Sequence, residues 1–190
     1  MKHANLPAIF DNNNYGKIAC LLHWSIAILI IVNFIIALTF HQFQLYAIHI
    51  QIGLLVLLLV IIRIIWRSST QYPIMVQQLS LIEKKGVQIA HLLLYTLMLL
   101  IPISGIFLVE AKGYPIRFFG LLDIPRLISI EPHTIAHQIK EIHQWLAYII
   151  IFIAVIHALG ALKHHFVDKD NVLLRMLPNH CKKIKNNGKK

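Results

Sequence analysis

The stretch KIACLLHWSIAILIIVNFIIALTFHQFQLYAIHIQIGLLVLLLVIIR, running from Lys17 to Arg63, holds no Lys, Arg, Asp or Glu between its two ends. A bilayer is crossed by about 20 predominantly apolar residues. This run is twice that length, so it predicts a hairpin of two membrane helices. The polar break His41-Gln-Phe-Gln44 divides it into helices at about 18–40 and about 46–66. The run is also longer than the ~7–15 apolar residues of a signal-peptide core, and no small-residue cleavage site follows an apolar run near Met1. The first helix is therefore expected to stay in the mature protein.

Composition extends the same reading to the rest of the chain. Hydrophobic residues make up 57% of the 190 residues and charged residues 14%, and the mean hydropathy is +0.67. A soluble domain carries about a quarter charged residues, so most of this chain has the bilayer as its solvent. A third span is expected at about 86–109, ending before Glu110. It contains Pro102, expected to kink it, with Ser104 and Gly105 small enough to admit a neighbouring group. A fourth is expected at about 141–162, stopped by Lys163. The predicted fold class is an all-α membrane protein, a four-transmembrane-helix bundle over residues 1–178, with a basic tail at 179–190.

The net charge of +10 reads as membrane topology rather than nucleic-acid binding, because Lys and Arg concentrate on the cytoplasmic side of membrane proteins. Arg63, Arg67, Lys84 and Lys85 lie between spans two and three; Lys163, Lys169 and Arg175 follow span four. The connection between spans one and two carries none. Both termini are expected in the cytoplasm, the tail touching anionic lipid. The connection between spans three and four is expected outside, with Lys112, Arg117, Arg126 and Lys140 interleaved with Glu110, Asp123, Glu131 and Glu141.

Twelve histidines are present, and five fall in or at the ends of spans: His23, His49, His91, His143 and His157. A polar side chain in hydrocarbon is costly and usually functional. His143 and His157 are 14 residues apart, ~21 Å along a helix and within ~40° of one face. Span four thus presents one imidazole near each membrane surface. Given the expected orientation, His23 lies at the depth of His157 and His49 at the depth of His143. Two imidazole pairs in two layers are what two bis-histidine haems stacked across a bilayer require. Zinc fits poorly, since pairs ~21 Å apart cannot supply four ligands to one ion. No Cys-x-x-Cys-His occurs, so covalently attached haem is excluded. Gly53 and Gly160 are placed to leave a flat gap beside a ligand. Arg63, 14 residues after His49, is placed on the same stripe at the other depth, where it could pair with haem propionates.

In order along the chain stand Leu22-His23-Trp24, Ile48-His49-Ile50 through Gly53, Ile62-Arg63-Ile64-Ile65-Trp66-Arg67, His91-Leu-Leu-Leu-Tyr95, Ile101-Pro-Ile-Ser-Gly105, His143-Gln-Trp145, His157-Ala158 with His164-His165-Phe166, and Lys169-Asp-Asn171 through Leu-Pro178. This ordered set, over about residues 15–178, resembles the bacterial cytochrome b561 family, which is also similar to the cytochrome b subunits of membrane hydrogenases. The resemblance implies two b-type haems, one held by His23 and His157 on the cytoplasmic side and an outer one held by His49 and His143. It implies an inner-membrane oxidoreductase that oxidises superoxide outside and reduces ubiquinone. His164 is the first candidate to hydrogen-bond the quinone, and His91 the second. The alternative is a haem b relay that docks a separate dehydrogenase or hydrogenase. A histidine proton-relay transporter is a third reading, disfavoured by the small number of spans and the lack of membrane carboxylates.

Overall fold

The computed structural model describes residues 16–43, 45–69, 81–125, 135–169 and 172–177. Arg126, Glu131 and the tail from 178 onward lie outside the described residues. Four helices are long and apolar enough to cross a membrane: α1 (Lys17–Phe43), α2 (Tyr46–Ser69), α3 (Leu81–Ala111) and α4 (Ala136–Phe166). A two-stranded hairpin, β1 (Ile116–Phe118) and β2 (Leu122–Ile124), follows α3, and a short α5 (Val172–Met176) follows α4. Helix α1 packs along α2, α2 along α3 and α3 along α4, while α5 returns against α4.

The four expected spans are present, but the helices outrun their predicted ends. Lys84 and Lys85, expected in a connection, sit in the opening turns of α3. Glu110 does not stop α3; it is inside the helix and only 7% exposed. The stop is Gly113, whose φ of +75° lets its N–H bond to Glu110 O (2.8 Å) and the Tyr114 N–H bond to Val109 O (3.2 Å). That is a Schellman motif, which caps the last carbonyls of a helix. Pro102 is buried within the continuous helix. Helix α4 likewise runs past Lys163 to Phe166, with Lys163, His164 and His165 in its last turn, where positive charge suits the helix dipole.

The outward faces are apolar: Ile28, Ile31, Ile35 and Leu38 on α1, and Phe152, Val155, Ile156 and Leu159 on α4, are exposed. In lipid this costs nothing, and helices there associate through close packing instead. The tight packing is internal. Ile26, Val56 and Val60, with Leu29, Ile30, Ile52, Leu59, Met98 and Leu99 around them, form an apolar plug shared by α1, α2 and α3.

The β-hairpin was not expected from the sequence. Its turn places Phe119 at φ +47° and Gly120 at φ +71°, with Leu121 N bonded to Phe118 O at 3.0 Å, the geometry that suits the twist of an antiparallel pair. Ile116 is buried against Leu54 and Val109. Gln51 on α2 clamps the hairpin from below, its Nε2 donating to Arg117 O (2.8 Å) and its Oε1 accepting from Phe119 N (2.7 Å). These bonds are solvent-facing and together contribute about 1 kcal/mol. Gln51→Ala is expected to leave the bundle folded but to speed amide exchange across residues 116–124 about fivefold, read by hydrogen exchange in detergent micelles.

Candidate functional site

The structure gathers the span histidines into two layers on either side of the apolar plug. At the hairpin end, His49 from α2 and His143 from α4 face each other with ring centroids 6.1 Å apart. Two imidazoles bonded to one metal across ~2 Å each place their centroids ~6 Å apart. The rings border a cavity of about 190 Å³ lined by all four helices.

What surrounds these rings fixes which nitrogen is available. His49 Nδ1 lies 3.3 Å from Asn33 O. A carbonyl only accepts, so Nδ1 carries the proton and Nε2 keeps its lone pair. Ser104 Oγ donates to Ile101 O at 2.8 Å and lies 2.9 Å from His143 Nδ1. Its single proton being used on Ile101, the hydroxyl accepts from His143 Nδ1–H. Both rings thus present Nε2 as a ligand atom, the arrangement in which outer partners orient metal-binding histidines. Gly105 makes room for this: a Cβ there would stand 3.2 Å from His143 Cε1. The neighbouring group that Ser104 and Gly105 were expected to admit is His143. Gly53 lines the same cavity, and a Cβ on it would meet Asn33 Nδ2 at an ordinary 3.7 Å.

At the other end, His91 from α3 and His157 from α4 have ring centroids 5.1 Å apart. His23 from α1 is within electrostatic reach of both and of Arg63. The sequence paired His23 with His157; the structure adds His91 at the same level. His91 Nδ1 lies 2.9 Å from Val87 O, so it too exposes Nε2 as an acceptor. Arg63 donates from Nε to Tyr95 Oη (3.1 Å), and the Arg63 and Arg67 guanidiniums lie 5.8 Å and 5.7 Å from the Tyr95 ring centroid. Arg63 Nη1 is buried with no hydrogen-bond partner among the described residues. A buried donor left unpaired costs ~1–3 kcal/mol, a penalty that a carboxylate-bearing ligand in this layer would remove. Beside Gly160, a Cβ would meet nothing within 4 Å.

Among the described residues, no three His, Cys, Asp or Glu side chains converge in a way that could hold a bare metal ion. A haem supplies nitrogen donors of its own and would need only a pair of imidazoles from the protein. The imidazole pair, the Gly105 clearance and the unpaired Arg63 nitrogen all suit that group.

His164 is buried on α4, with Nδ1 3.0 Å from Asp168 Oδ2. Helix α4 continues through His164, so it follows His157 by seven helical residues, nearly one face. Trp24, next to His23, donates from Nε1 to Met176 O (2.7 Å), which ties α5 beneath this layer. Of the four cations expected on the outer connection, the structure selects two. Lys112 and Lys140 line the cavity, and Lys112 Nζ stands 5.2 Å over the Tyr46 ring. Arg117 is instead paired with Asp123 at 2.8 Å within the hairpin. Asn33, Ser104, Tyr95 and Asp168 were missed as site residues; the one local signal was Ser104-Gly105 after Pro102.

A family model described as prokaryotic cytochrome b561 matches residues 14–179. Cytochrome b561 homolog 2 of Escherichia coli (strain K12) is 33% identical over 185 residues, covering 93% of this chain and 95% of that protein. The probable superoxide oxidase CybB of Yersinia pestis is 31% identical over 179 residues, covering 86% and 97%. Cytochrome b561 homolog 1 of Escherichia coli (strain K12) is 34% identical over 131 residues, covering 68% and 73%.

Two neighbours of His143 can be tested through haem recovery. Gly105→Val is expected to drive the ring off its position and abolish the b-type absorbance of that layer. Ser104→Ala, which keeps the Ile101 acceptor, is expected to weaken haem affinity by about 10–100-fold. A pyridine haemochrome assay on detergent-purified variants reads both.

Proposed function

The chain belongs to the prokaryotic cytochrome b561 family, multi-pass b-type haem proteins of the bacterial inner membrane that carry electrons across it, and from that premise we propose that it oxidises superoxide at one face and reduces ubiquinone at the other. The observation that carries the reading is the His49–His143 pair: rings 6.1 Å apart, each with Nδ1 engaged by an acceptor and Nε2 turned to ligand duty.

In this reading the chain holds two haems. His49 and His143 would hold the outer one near the hairpin, and His23 and His157 the inner one, where Arg63 Nη1 would serve a carboxylate of the haem. The haems supply one-electron carriers at two depths. The protein's own residues do the rest. The apolar plug of Ile26, Val56 and Val60 keeps water from the space between the layers. Lys112 and Lys140, unlike Arg117, stand at the outer cavity, where a small anion such as superoxide would be drawn in. One relative carries the name of a probable superoxide oxidase, which favours this donor. Both termini lie in the cytoplasm, so α5 and His164 mark the face where ubiquinone is reduced. His164 is the first hydrogen-bond partner for its carbonyl, and His91, with an accepting Nε2 beside His157, is the second. Two superoxide anions give up one electron each and leave as dioxygen; ubiquinone takes the two electrons and two protons and leaves as ubiquinol.

Haem quantification on single alanine variants tests the assignment. His49→Ala and His143→Ala are expected to lose one haem and keep the other, while His23→Ala and His157→Ala lose the other one. Four variants that all retained two haems would sink the layered scheme. Superoxide-driven ubiquinone reduction by the purified protein tests the activity. Lys112→Glu with Lys140→Glu is expected to slow reduction by superoxide about tenfold at low ionic strength, and less in high salt, with haem content unchanged. Failure of the wild type to be reduced by superoxide would favour a relay that docks a separate dehydrogenase.

A further inference from the structure

The β1–β2 hairpin reads Ile-Arg-Phe-Phe-Gly-Leu-Leu-Asp-Ile from 116 to 124, apolar apart from Gly120 and one charge of each sign. A turn in water is built from Gly, Asn, Asp, Ser or Pro. Here Gly120 is flanked by Phe119 and Leu121, and Phe119 holds the left-handed backbone at φ +47° that Asn or Gly would adopt at less cost. Phe119 and Leu122 are exposed and Leu121 is 84% exposed, so the protein's own core does not take them up.

The hairpin lies alongside the spans rather than above them. Helix α2 opens at Tyr46, and Gln51, which holds the hairpin, is five residues or ~7.5 Å further into the span. Ile116 packs against Leu54, further in again, and against Val109. Ile48, three residues before Gln51 on α2, is an exposed apolar side chain of the same span. The bonds of Gln51 fit that level. The carbonyl of one strand residue and the N–H two residues on lie along one strand edge. Gln51 takes both, Arg117 O at 2.8 Å and Phe119 N at 2.7 Å. An open strand edge does not occur in lipid unless it is covered, and a polar side chain in a span is costly unless it is satisfied. One side chain meets both demands. Arg117 and Asp123 are cross-strand partners and form an ion pair of 2.8 Å, so the hairpin brings no net charge to this level.

We propose that the hairpin is a lipid anchor: its tip, Phe119 to Leu122, lies at the boundary of headgroups and acyl chains in the leaflet at the hairpin end, and phospholipid is the partner that covers it. Apolar groups seated at that boundary reach ~5–10 Å into it. The Arg117–Asp123 pair meets the headgroups and their water. Ile116, on the opposite face of β1, lines the cavity beside His49 and His143, so lipid at the tip bears on the cavity wall. The anchor depends on the four spans alone, and not on which molecule gives or takes the electron.

A spin label tests the depth. The holoprotein, carrying Cys20→Ala and Cys181→Ser, is placed in nanodiscs of phosphatidylethanolamine and phosphatidylglycerol and labelled at Leu121→Cys. His137→Cys, in the exposed first turn of α4, and Phe152→Cys, on the exposed apolar face of the same helix, are the references for water and for acyl chains. Collision with oxygen, which concentrates in acyl chains, is compared with collision with a water-soluble nickel complex. The label at position 121 is expected to fall between the two references, ~5–10 Å into the boundary. A label that the nickel complex reaches as freely as at position 137 overturns the proposal. So does a label shielded from both reagents, which would mean that a second copy or another protein covers the tip. Amide exchange gives an independent reading in the same nanodiscs. The exposed Leu121 and Leu122 side chains have water as their only surroundings if the hairpin stands clear of lipid, and Leu121→Asp with Leu122→Asp would then leave exchange across residues 116–124 unchanged, a result that also overturns the anchor. Several-fold faster exchange is the expected result, because the added charges drive the tip out of the lipid.

Discussion

An imidazole in hydrocarbon has two nitrogens to satisfy and no water to satisfy them, and the bundle is arranged around that requirement. At His49 and His143 one nitrogen is given to protein acceptors, Asn33 O and the Ser104–Ile101 pair. The other, Nε2, is thereby left in the unprotonated form that a metal ligand needs. Each solution draws on a neighbouring helix: Asn33 of α1 orients a residue of α2, and Ser104 of α3 orients a residue of α4. The pairs α1–α2 and α3–α4 are also helices that pack along each other. Ring orientation and helix association are therefore one problem solved by the same contacts.

The apolar plug follows from the same constraint. Between the polar rings at either end, Ile26, Val56 and Val60 pack together as an apolar cluster. This separation keeps the two layers distinct. A single helix, α4, spans both, so the spacing of His143 and His157 sets the distance between the layers without reference to any loop.

How much of this was legible in the sequence divides along the range of the forces involved. The four spans could be read because apolar run length is a local property, and the two layers because His143 and His157 share one regular helix. The helix ends could not. Glu110 looks like a stop, but Gly113 makes the stop, through a left-handed residue and two bonds back to Glu110 O and Val109 O. The hairpin escaped because its strands have only three residues each and are held by Gln51, a residue 66 positions from Arg117. Ser104 and Asn33 were missed as orienting groups because their partners lie on other helices; nothing in the local pattern distinguishes a packing serine from one that holds a histidine. Arg63 was legible as far as its depth, while its bond to Tyr95 was not.

The two ends of the bundle differ in how they handle charge, and the difference bears on what each can bind. At the hairpin end, Arg117 is neutralised by Asp123, while Lys112 and Lys140 remain at the cavity. A cavity with low-dielectric walls focuses such charge and favours small anions over neutral molecules. At the α5 end, Lys163 is instead paired with both Glu83 and Asp168. Two lysines left at the cavity, against a lysine paired at the other end, are the asymmetry on which the proposed anionic donor at the hairpin end would depend.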